Sequence, residues 1–64
     1  MDNRPTCKSI ERKAAVIQAD TGKEVFYCWD KSEHEYVYLT RDRYVQCFWI
    51  YPEDVLYSTN EGWY

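Results

Sequence analysis

Glycine is scarce: Gly22 and Gly62 are the only two, so no glycine-rich loop exists to cradle a phosphate. Histidine is scarcer still, with His34 alone. Its neighbours Glu33 and Glu35 make the one cluster that can be drawn as acid–base machinery. Catalysis needs a nucleophile, a positioned base and an oxyanion site close together, and adjacent side chains in a short solvated loop diverge. The reading is therefore of a charged surface loop, and no enzymatic activity is expected.

The three cysteines, Cys7, Cys28 and Cys47, are an odd number and lie far apart in sequence. Without a secretory signal that argues against a disulfide framework, and the spacing lacks the close ligand pairs of a structural zinc site. A four-ligand set of these thiols with His34 has no support in the spacing. Cys28, within Phe26–Trp29, and Cys47, within Val45–Trp49, read instead as small buried hydrophobes. No cofactor or metal is expected. Long apolar runs are missing too, so nothing here reads as a membrane span. Charged Asp2, Glu11 and Asp20 among basic residues are unlike a secretory leader, and a cytoplasmic location is expected.

Aromatic residues are what the chain has in plenty: three Trp, seven Tyr and two Phe, 19% of 64 residues. A domain this small buries only about 60% of its unfolded surface, and rings that each bury about 150–250 Å² compensate. Net charge is −3 but uneven. Residues 1–23 hold five Lys/Arg against three Asp/Glu, and residues 24–64 hold three against eight. A net-negative body is repelled by nucleic-acid phosphate.

From residue 14 onward the pattern has period two and favours β-branched and aromatic residues. Ala14–Ala19 reads as a strand joined through Asp20-Thr21-Gly22-Lys23 to a second, Glu24–Trp29. Tyr36–Thr40 is a third strand, after the polar loop Asp30–Glu35, and Arg43–Tyr51 a fourth. Pro52 stops that strand, and Pro52–Val55 forms a helical turn with acids at its positive end. Leu56–Ser58 adds a short last strand, and the tail 59–64 reads as loose. Residues 9–19 keep a second reading as a helix, with Ser9 as cap, Ile10, Ala14 and Ile17 on one face and Gly22 just past its end. The resulting division is an N-terminal extension 1–13, one β-rich domain 14–58 and a C-terminal tail 59–64.

Alternation puts apolar residues on both sides of every strand: Val25, Tyr27 and Trp29 oppose Phe26 and Cys28, and Val37 and Leu39 oppose Tyr36 and Tyr38. The fold class is mainly β, a small antiparallel four- to five-stranded sheet or a barrel, with an N-terminal helix (α+β) as the variant. The strand order, the polar loop and the segment Phe48-Trp49-Ile50-Tyr51-Pro52-Glu53-Asp54-Val55 resemble an SH3-like barrel over residues 14–58. That resemblance implies a binding module for peptides, proteins or nucleic acid.

Tyr and Trp concentrate at protein–protein hot spots. Trp29, Tyr36, Tyr38 and Tyr44 fall on neighbouring strands near acidic Glu33 and Glu35 and basic Arg41 and Arg43, and these eight form the candidate binding site. The expected function is a small non-enzymatic protein-binding module. It resembles the accessory proteins of phages and mobile elements that bind and inhibit or otherwise modulate a host protein. One alternative is a single-stranded nucleic-acid-binding SH3-like or OB-like domain, with bases stacked on Tyr36, Tyr38 or Tyr44 and phosphates held by Arg41 and Arg43. The other is a structural homodimer.

Overall fold

A computed structural model describes residues 6–64 as helix α1 (Cys7–Thr21), strands β1 (Val25–Asp30) and β2 (Glu35–Thr40), helix α2 (Arg41–Gln46), a 3₁₀ turn (Pro52–Asp54), and strands β3 (Val55–Ser58) and β4 (Gly62–Trp63). The first five residues of the expected N-terminal extension lie outside the described residues. The fold is α+β.

Of the two readings of residues 9–19, the helix is the one adopted, and no strand forms at Ala14–Ala19. Its cap is Thr6, one turn before Ser9. The Thr6 hydroxyl accepts from the Ser9 amide at 3.1 Å, which satisfies one of the orphan donors of the first turn. At the other end Gly22 takes φ 70° and donates its N–H to the Gln18 carbonyl, an αL cap that glycine adopts without steric cost. The expected hairpin turn is thus the end of a helix. Ile10 and Ala14 are buried, whereas Val16 is 63% exposed.

β1 is the centre of a four-stranded antiparallel sheet of order β2-β1-β3-β4. It pairs with β2 in unbroken register, Val25 opposite Thr40 through Asp30 opposite Glu35, and with β3 through an irregularity at Tyr27/Cys28. The sheet is open and does not close into the expected barrel. The fourth strand that closure required, Arg43–Tyr51, is not a strand. Thr40 and Asp42 start a helix instead: the Thr40 hydroxyl donates to Asp42 Oδ1 at 2.6 Å, and Asp42 lies in the first turn, where negative charge is favourable. Beyond α2, i→i+3 bonds run from the Cys47 amide to the Tyr44 carbonyl and from the Ile50 amide to the Cys47 carbonyl, each 3.1 Å. The period is three, so Tyr44, Cys47 and Ile50 all turn inward.

Each face of the sheet acquires a cover. Helix α1 lies over Val25 and Tyr27, with the Lys13 ammonium 4.9 Å from the centre of the Tyr38 ring. On the opposite face Tyr44, Cys47 and Ile50 pack with Phe26, Cys28, Val37, Leu39 and Val55. The tail expected to be loose is pinned. Trp63 packs against Tyr57, with ring centres 4.8 Å apart and planes tilted by 45°, and donates its indole N–H to Glu11 at 2.8 Å. The Thr59 amide reaches the Val25 carbonyl at 3.0 Å.

The helix places Ala14 inside and Val16 outside, whereas a strand would put both on one face. Ala14→Leu is expected to cost about 1–3 kcal/mol by overpacking and Val16→Leu less than about 0.5 kcal/mol, read from urea unfolding midpoints. Equal costs would point to the strand.

Candidate functional site

Strand pairing sets four aromatic rings side by side on the α1 face. Trp29 lies 4.8 Å from Tyr36, Tyr36 5.5 Å from Tyr27, and Tyr27 4.9 Å from Tyr38. With Ser9 and Lys13 of α1, Tyr27, Tyr36 and Tyr38 line a groove of about 440 Å³. Tyr27 is buried and Tyr36 is 55% exposed. Burial and the neighbouring phenols of Tyr38 and Tyr36 push the Tyr27 hydroxyl above its ordinary range, and burial does the same to Tyr38. These phenols stay protonated at neutral pH.

Of the eight residues singled out from sequence, the structure brings together Trp29, Tyr36 and Tyr38, with exposed Glu33 and Glu35 at the hairpin end of β2. Tyr44 does not join them. It sits on α2, across the sheet, stacked on Phe26 at 4.6 Å, because the segment is helical rather than a fourth strand. Arg41 and Arg43 lie at the far end of β2 from the glutamates, and Arg41 is paired to Glu24 at 3.3 Å. His34 occupies the hairpin turn with φ 55°. Cys7 begins α1, whereas Cys28 and Cys47 are in the core of the opposite face. Burial raises the Cys28 thiol to about 12. Among the described residues no group of three or more His, Cys, Asp or Glu is placed to hold a metal ion.

A second aromatic surface went unseen in the sequence. With Tyr44, Cys47 and Ile50 turned inward, the residues between them face out. Val45 is 70% exposed, Phe48 85%, Trp49 40% and Tyr51 50%. Phe48 and Trp49 meet edge to face at 5.2 Å. A signal was present: spacing of three at Tyr44, Cys47 and Ile50, preceded by the helix-starting pair Thr40 and Asp42.

This patch is anchored by Asp30, a buried carboxylate at the end of β1. Its Oδ1 accepts from the Ser32 hydroxyl at 2.7 Å and the Ser32 amide at 2.9 Å, and its Oδ2 from the Trp49 indole at 3.4 Å. The Ser32 hydroxyl above all, then the Glu33 amide and the Trp49 indole, hold the Asp30 carboxyl below the usual range. Lys31 adds a second tether, with its ammonium 3.3 Å from Asp54 and 5.2 Å from the centre of the Tyr51 ring. Asp42, at the start of α2, is held down to about 2 by the Thr40 hydroxyl and then by Lys23. No protein-family model, curated protein or solved structure matches the chain.

A carboxyl with a depressed folded-state pKa adds stability above its unfolded value, about 3.9, and loses it as pH falls through the folded value. Asp30→Asn is therefore expected to be less stable than the wild type at pH 7. The gap should shrink below about pH 4, with the variant's Trp fluorescence shifted to the red at neutral pH. A gap that persists undiminished at low pH would show that the Asp30 charge is not what anchors Trp49.

Proposed function

We propose that this chain is a small, non-enzymatic protein-binding module, and that it engages its partner through the aromatic patch of the α2–3₁₀ segment. The observation that carries the reading is Phe48, 85% exposed beside Trp49 and Tyr51. Three large aromatic side chains stand in water side by side, and contiguous exposed apolar residues mark interaction sites. Trp49, oriented by Asp30, is held in place before any partner arrives, which lowers the entropic cost of association.

Glu53 is exposed beside Tyr51, whereas Asp54, half-buried behind it, is paired with Lys31. Across residues 24–64 acids outnumber bases eight to three. This balance suits a partner whose apolar pocket is edged by Lys or Arg, and it steers association in a way that salt weakens. By analogy, the proposed role is an accessory one, in which the domain occupies another protein and modulates it.

Phe48→Ala removes the most exposed ring and is expected to change stability by less than about 0.5 kcal/mol. Loss of a hot-spot ring costs about 2 kcal/mol or more of binding. Affinity capture from native-cell lysate at low salt should recover a partner with the wild type, less of it at high salt, and little with Phe48→Ala. Recovery of nothing above background at low salt would contradict the reading, as would tight binding of labelled single-stranded DNA or RNA under the same conditions.

A further inference from the structure

The sheet has two edges, and they are guarded differently. β4 is only two residues long, and a very short edge strand offers little to pair with. β2 is six residues, Glu35-Tyr36-Val37-Tyr38-Leu39-Thr40, and pairs with β1 in a register without a bulge. It contains no lysine and no proline. Among the described residues, no loop or turn backbone group bonds to the backbone of Glu35–Leu39. Lysine, proline, bulges and shortness are among the usual means of blocking strand addition; β2 uses none of these four, and its one charged residue is Glu35 at its start.

We propose that β2 pairs antiparallel with β2 of a second copy, about a two-fold axis at Tyr38, to give a continuous eight-stranded sheet. This surface is distinct from the Phe48 patch and does not rest on the partner-binding reading. Two observations select a second copy as the occupant. The first is parity: Val37 and Leu39 share the core face of β2, while Tyr36 and Tyr38 share the other. With the axis at Tyr38, Val37 of each copy falls opposite Leu39 of the other, Tyr38 opposite itself and Tyr36 opposite Thr40. Apolar side chains then meet on the core face, and aromatic ones on the α1 face, as stable cross-strand pairs require.

The second is charge. Glu33 and Glu35 stand at the start of β2, Arg41 and Arg43 just past its end, and all four are exposed. Antiparallel self-pairing brings the acidic end of one copy to the basic end of the other, twice per dimer. Arg41 keeps capacity for a second carboxylate although Glu24 is already on it, since its side chain is 71% exposed and a guanidinium has five N–H donors.

The test is sedimentation of the full chain over a concentration series reaching the high micromolar range. The wild type should shift from monomer to dimer. Glu33→Arg and Arg43→Glu should each weaken the dimer by about tenfold or more, because each sets like charges together twice. A one-to-one mixture of the two variants should dimerise again, since every Arg–Arg and Glu–Glu meeting becomes an Arg–Glu meeting. Phe48→Ala should leave the dimer unchanged. A wild type that remains monomeric throughout overturns the proposal. So does a mixture that fails to recover, or a dimer lost in Phe48→Ala, which would place self-association on the other patch.

Discussion

Strand β1 is apolar on both of its faces, and that forces the rest of the structure. Val25 and Tyr27 point one way, Phe26 and Cys28 the other, and all but the half-buried Phe26 are buried. A chain of 64 residues cannot fold a second sheet over each side. The first face is covered by fifteen residues of α1. The second receives the short helix α2 and the turns that follow it, which supply Tyr44, Cys47 and Ile50. An SH3-like barrel meets the same demand by curling the sheet; here two unequal covers meet it.

The inequality of the covers bears on function. A long helix buries one stripe and exposes polar residues on the other. A segment that turns every three residues and reads Tyr44-Val45-Gln46-Cys47-Phe48-Trp49-Ile50-Tyr51 has apolar groups all round, so burying one row exposes the next. Phe48, Trp49 and Tyr51 are that surplus. Asp30 fixes the arrangement by accepting from both the hairpin, through Ser32, and the covering segment, through Trp49. The same carboxylate shapes the turn leading into β2 and accepts from an exposed indole.

Strands β1 and β2 were legible because alternation and β-branched residues agree there, and the turn at Pro52 because proline starts helical turns. The grouping of Trp29 with Tyr36 and Tyr38 followed from their place on neighbouring strands, and the β1–β2 register puts them on one face. Residues 9–19 stayed open between helix and strand for a physical reason: what decides them is distant, namely the need of Val25 and Tyr27 for Ile10 and Ala14. The segment 43–51 was misread because nearly every residue in it is apolar, and such a run fits period two and period three alike. Only polar Thr40 and Asp42 ahead of it break the tie. Tyr44 was misplaced with it, and the Phe48 patch went unseen for the same reason.

The Phe48 patch exists only if residues 41–51 form a cover over the sheet rather than a fourth strand. NOE spectroscopy on the intact protein tests this directly. Contacts between the Tyr44 and Phe26 rings, and from Cys47 and Ile50 to Cys28 and Val55, with helical carbon shifts over Arg41–Gln46 and no long-range contact from Phe48, are the result predicted. Extended carbon shifts over Arg43–Tyr51 with cross-strand contacts and a buried Phe48 would contradict it.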